Sequence, residues 1–131
     1  MREIKFRAWL KEERKMVNVE TLFIGINRLC FGNSKTEDLF FRDFEEVELM
    51  QYTGVRDKNG KEIYEGDIVV LNNIEIDNMC IVRYEHSSYR LEGWSLREDL
   101  SNVESHKFLE VVGNIYENKN LLEESRWADT R

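Results

Sequence analysis

Two histidines, His86 and His106, are the side chains best suited to acid–base or metal chemistry in this sequence of 131 residues. They lie in the polar stretches "EHSS" and "ESHK". A metal would need each of them joined by thiolates or carboxylates at ligand spacing, and no H-x3-H, HExxH or CxxC pattern supplies that. Both are expected as exposed loop residues. Ser87 and Ser88 follow His86, but the G-x-S-x-G turn that presents a serine nucleophile is missing. Gly60-Lys61 lacks the upstream glycine and the following Ser or Thr of a phosphate-binding loop. Glu62, Glu65 and Asp67 are close in sequence. Such carboxylates can hold a hard cation or move a proton, yet on a strand and a turn they need not converge, and turn chemistry and solvation are their expected use. No catalytic residue, metal ligand or cofactor is expected.

The aromatic residues Trp9, Tyr52, Tyr64, Tyr84, Tyr89, Trp94 and Tyr116 leave two readings open. They can fill a small core, or they can line a recognition groove. Trp9, Tyr52, Tyr64, Tyr89 and Trp94 are the candidates for a binding surface.

The elements that would position these side chains read as strands. In "EIKFRAW" Ile4, Phe6 and Ala8 share one face, and Lys5, Arg7 and Trp9 the other. "LKEERK" reads as a polar turn and "MVNVE" as a returning strand, which makes residues 3–20 a hairpin. "TLFIGINRLCFG" is apolar and is broken by Gly25 and "NR", consistent with two short strands around a turn. Asn59-Gly60 predicts a type I′ hairpin turn, with φ > 0 at both residues. "EGD" predicts a second tight corner, with Gly66 at positive φ and the Asp67 side chain bonded to nearby backbone N–H groups. The strand Ile68–Leu71 follows. Ile68, Val70, Tyr84, Val111 and Ile115 are expected in one core. "MCIVRY" and "YRLEGW" form a further hairpin candidate, Gly113 marks a bulge or bend in "FLEVVGNIY", and "ENKNLLEESRWADTR" reads as a helix capped by Asn120. Many short strands with Gly and Asn turns argue for an all-β fold, and a small closed barrel would remove exposed edges.

The length fits one domain with a small appendage. Cys30 and Cys80 sit in apolar runs and read as small buried hydrophobes rather than a disulfide framework. No apolar run approaches the ~20 residues that span a bilayer, and "MREIKFRAW" has no apolar signal-peptide segment. A cytoplasmic protein that avoids membranes is expected. The net charge of −7 disfavours nucleic acid as a partner. It is set against a basic cluster of Lys5, Arg7, Lys11, Arg14 and Lys15, with Arg56, Lys58 and Lys61 as candidate additions. The apolar runs Leu22–Ile26, Leu29–Phe31 and 39–41 ("LFF") exceed what a barrel of about 70 residues encloses; a homo-oligomer is expected to cover them, the alternative being that this region packs its apolar face on its own barrel.

"MREIKFRAW", "LMQYTGVRDKNGKEIYEGDIV" and "VVGNIYEN" followed by "LL" resemble the YopX family, small proteins encoded by phages and prophages of low-GC Gram-positive bacteria. The resemblance runs from end to end in order. It implies a mainly β protein with an N-terminal β region over 1–45, an SH3-like barrel over 46–116 and a short helical tail over 117–131. It implies no activity. Leu10 stands where the family pattern has an acidic residue, so a looser first hairpin is expected; residues 21–45 match nothing recognisable. The function expected on this basis is a non-catalytic accessory protein that binds a host or phage protein through its barrel. The alternative is a nucleic-acid-associated module, since "EGDIVVL" looks like the entry strand of ribosomal and transcription-factor barrels. An enzyme is the least favoured reading.

Overall fold

The computed structural model describes residues 3–33, 35–71, 79–85, 88–93, 97–100 and 108–123. The chain forms two compact units, Met1–Tyr52 and Thr53–Arg131. Its class is as expected: mainly β, antiparallel, with one short C-terminal helix.

In the first unit β1 (Phe6–Leu10), β2 (Lys15–Phe23), β3 (Arg28–Asn33), β4 (Asp38–Asp43) and the start of β5 (Val47–Arg56) pair in the order β4-β3-β2-β1-β5. β1 and β2 make the expected hairpin. It is not loosened by Leu10, which is buried among Ala8, Leu29 and Val47, while Arg14 takes φ 55° and donates its N–H to the Leu10 carbonyl at 2.7 Å. Within residues 21–45 lie the end of β2, all of β3 and all of β4. β2 runs on to Phe23, a 3-10 turn follows at Ile24–Ile26, and Asn27 turns the chain back at φ 55°, a conformation asparagine tolerates better than most residues. A second 3-10 turn at Phe44–Glu46 is closed by a capping box between Asp43 and Glu46. The apolar face gathers Ala8, Leu10, Leu29 and Val47, with Val17, Val19, Leu22, Phe31, Phe44 and Leu49 against them. β4 lies at the end of the sheet, with β3 its one strand partner among the described residues.

In the second unit β5 continues to Arg56 and pairs with β6 (Glu62–Tyr64). The turn between them differs from expectation. Gly60 has φ 81°, but Asn59 is absent from the residues at positive φ. Gly60 N–H bonds to the Asp57 carbonyl at 3.0 Å and Asp57 N–H to the Lys61 carbonyl at 2.8 Å. That is a type I turn followed by a glycine bulge, not type I′. The Asp57 carboxylate stabilises it by accepting from Asn59 and Lys61 N–H groups at 2.8 and 2.9 Å. Gly66 has φ 83° and Asp67 accepts the Tyr64 N–H at 2.8 Å, as the "EGD" corner predicts.

β7 (Asp67–Leu71), β8 (Met79–Glu85), β9 (Ser88–Gly93), β10 (Arg97–Asp99) and β11 (Leu109–Asn114) form a sheet in the order β10-β9-β8-β7-β11. Its ends do not close on each other among the described residues, so a barrel-like order stands without closure. The core is Ile63, Val69, Leu71, Cys80, Val82, Leu91, Leu100 and Leu109. Of the expected core set only Ile68 is fully buried; Val70, Val111 and Ile115 are half-buried and Tyr84 is exposed. "IVVL" has no polar residue to fix its phase, and the main cluster takes Val69 and Leu71 instead. The register of β11 shifts between Val111 and Gly113, where a bulge was expected. The helix α1 (Lys119–Glu123) starts before Asn120, which lies inside its first turn and is not its cap.

Candidate protein-contact surface

Strand alternation buries most of the aromatic residues first considered for a binding surface. Trp9, Tyr52 and Tyr64 are buried. Lys5 Nζ lies 6.0 Å from the Tyr52 ring centre, and the Tyr64 hydroxyl donates to Glu62 at 3.4 Å. Tyr89 is half-buried and meets exposed Tyr84 edge-on, with ring centres 4.9 Å apart. Trp94, His86 and His106 lie outside the described residues. Those five aromatics therefore do not make one exposed surface.

The exposed apolar side chains concentrate elsewhere, in the first unit. Phe23 is 36% exposed, Ile24 74%, Ile26 66%, Phe40 53% and Phe41 44%. Two faces of the sheet contribute. Phe40 pairs across the strands with Phe31, and their rings stack at 5.5 Å. This carries the apolar row of the core out to the sheet edge. Phe41 pairs with Cys30 on the opposite face, and its ring stacks with Phe23 at 6.2 Å.

Charged residues flank both faces. Arg28 lies 5.8 Å from the Phe41 ring and 3.0 Å from Asp43. Arg42 lies 5.5 Å from the Phe31 ring and 2.6 Å from Glu13. The hydrogen bond from Arg42 holds the Glu13 carboxyl below the usual carboxylate range. The sequence signal for this surface is "LFF" set between charged residues, on a strand too short to bury three large side chains.

In the second unit Asp57, Glu62 and Asp67 are engaged in structure. Glu62 pairs with Arg56 at 3.3 Å and Asp67 holds the corner beside Tyr64. Asp57, which sequence reasoning passed over, is buried and bonds three backbone N–H groups: those of Asn59 and Lys61, and that of Val111 on β11 at 2.9 Å. Burial pushes its carboxyl up, but the bonds from Val111, Lys61 and Asn59, with the Lys61 charge, outweigh that and leave it below the ordinary value. The D-x-N-G spacing was the available signal, because a carboxylate at that turn position caps the N–H two residues on.

Among the described residues, no group of three or more His, Cys, Asp or Glu is placed to hold a metal, and no helix is long and apolar enough to cross a membrane. Cys30 and Cys80 are buried and form no disulfide.

A family model described as "YopX protein" matches residues 5–123. The chain belongs to the YopX family. Protein EF1440 from Enterococcus faecalis has a similar crystal structure: 31% identity, 93% of this chain and 99% of that one covered, TM-score 0.67. Protein yopX from Bacillus subtilis is 20% identical, with 90% and 97% of the two chains covered and a TM-score of 0.57, and shares the fold. No curated protein matches. The YopX assignment accounts for the order of the three sequence blocks and for the mainly β fold.

Proposed function

We propose that this YopX-family chain is a non-catalytic phage or prophage accessory protein that acts in the host cytoplasm as a protein-binding module. The observation that carries the reading is the exposure of five large apolar side chains in the first unit, Phe23, Ile24, Ile26, Phe40 and Phe41, on both faces of its sheet. Large exposed apolar side chains rimmed by Arg28, Arg42 and acidic residues match the make-up of interfaces, where aromatics and arginine are enriched at the centre and the rim stays polar. The contact surface thus moves from the barrel of the sequence reading to the first unit. Structural use of Asp57, Glu62 and Asp67 supports a non-catalytic role.

A nucleic-acid partner is less well supported. Lys5, Lys11, Arg56 and Lys58 each pair with a glutamate, at 3.2, 3.5, 3.3 and 3.4 Å, which reduces the field a phosphate backbone would meet. The test places a photo-crosslinking residue at position 24 of the protein in its host cells. Discrete protein adducts that vanish in a Phe40→Ser, Phe41→Ser variant are expected. Irradiation that yields only the 15.7 kDa chain would refute the reading.

A further inference from the structure

We propose that the β4 edge of this surface is occupied by a second copy of the chain, in an antiparallel, two-fold pair centred on Phe40; this rests on the protein-binding reading above. β4 is an edge strand of six residues, DLFFRD, with Phe40 and Phe41 exposed. An exposed apolar edge offers a row of backbone N–H and C=O groups to another strand, and proteins that stay monomeric blunt such edges with charges or proline. The central residues of β4 are apolar, and the chain has no proline.

Symmetry and charge select the register. Two copies of one strand paired antiparallel around a dyad must place residues of equal parity opposite each other, because alternate residues present their hydrogen-bonding groups outward. The dyad then passes through a residue, not between two. Centred on Phe41, the pair sets Arg42 against Phe40 and Asp43 against Leu39. Centred on Leu39, it sets Asp38 against Phe40. Centred on Arg42, it sets the two arginines against each other. Only the pair centred on Phe40 places Asp38 opposite Arg42 of the second copy, twice, with Leu39 opposite Phe41 and Phe40 opposite itself.

The side chains are available for this. Asp38 accepts a local bond from the Thr36 hydroxyl at 3.0 Å. Arg42 donates to the Phe41 carbonyl at 2.8 Å and to Glu13 at 2.6 Å, and a guanidinium has five donor N–H groups. On the face shared with the first unit's core, the stacked Phe31–Phe40 row would continue into the Phe40–Phe31 row of the second copy. On the other face Phe41 would cover Leu39 of the second copy.

Light scattering after size exclusion should give a mass twice 15.7 kDa. D38R and R42D alone each put like charges opposite one another and should weaken association more than about tenfold. Their equimolar mixture restores two opposite-charge pairs and should recover the dimer. R42D loses Glu13 in every sample, so recovery on mixing reports the cross-strand pair alone. Directly opposed residues lie about 4.5–5.5 Å apart between Cα atoms, within disulfide reach, so F40C should oxidise to a covalent dimer while I24C stays single. The F40C result does not depend on how the charge variants fold. A wild-type mass of 15.7 kDa at every concentration, failure of the mixture to recover, or no F40C crosslink would overturn the proposal. A monomer that still forms position-24 adducts with another protein would sink this dimer and leave the protein-binding reading standing. A monomer with no adducts would sink both.

Discussion

Asp57→Ala should lower the unfolding free energy by about 2.5–5 kcal/mol. The carboxylate of Asp57 is buried and accepts three backbone N–H groups. The bond from half-buried Val111 is charge-assisted and has no ready water to replace it, so its loss costs about 1.5–3 kcal/mol. Asn59 and Lys61 are exposed, and their N–H groups can turn to water, so each adds only about 0.5–1 kcal/mol. Set against a typical total of about 5–15 kcal/mol, the loss is large. Asp57→Asn keeps one oxygen for the turn but presents an amide donor toward Val111 N–H, and should cost about 1.5–3 kcal/mol. The pH dependence has a definite sign. The folded carboxyl lies below its ordinary value of 3.8, so its contribution is fully present above that pH and is lost as pH falls through the folded value. Urea unfolding at pH 7, and then across a series below about pH 4, measures both effects. A loss under about 1 kcal/mol for Asp57→Ala at pH 7, or the same acid limb in Asp57→Asn as in wild type, would refute the reasoning.

The other predictions are read by the same unfolding assay. Gly60→Ala should cost about 1–2 kcal/mol, because φ is 81° while a Cβ there meets nothing within 4 Å; a neutral result would contradict the turn. Gly32→Ala should cost more, about 2–4 kcal/mol, since φ is 114° and the added Cβ would fall on the Asp38 backbone carbonyl. Equal losses at Gly32 and Gly60 would show that this close approach is wrong. Val69→Ala should cost about 1–3 kcal/mol and Val70→Ala under about 1, because only Val69 lies in the main cluster; the reverse order would put the phase of β7 in error.

Local turn chemistry was the most legible part of the sequence. Gly60, Gly66 and Gly113 mark a turn, a corner and a bulge where glycine was expected to allow them. Asn59-Gly60 signalled a hairpin correctly but not its type, because a buried carboxylate two residues before Asn59 chose the longer loop. The phase of β7 was not readable, since four consecutive apolar residues fit either face. Residues 21–45 were opaque for a related reason. Their apolar residues do not alternate, because Phe40 and Phe41 are both exposed on opposite faces of one edge strand. The excess apolar runs at 22–26 and 39–41 pointed to this surface, but the aromatic residues expected to line a binding groove did not, because aromatic type alone does not fix exposure. Exposure depends on strand position: β1 and β5 are interior strands of the six-stranded order, while β4 is at its edge.

The bond from Val111 N–H to Asp57 spans 54 residues of chain. At a synthesis rate of about 5–20 residues per second, Asp57 leaves the ribosome some seconds before its third donor does. The strands of the first unit are all made by Tyr52, so that unit can settle early. In the second unit, the side of β7 that β11 will occupy stays open through the same interval. The open edge is the run "IVVL", a segment suited to pairing with any strand it meets. A chain stalled before Leu109 would keep that edge uncovered. Nascent-chain quality control should therefore distinguish truncations on either side of residues 109–114 more sharply than any others in the second unit.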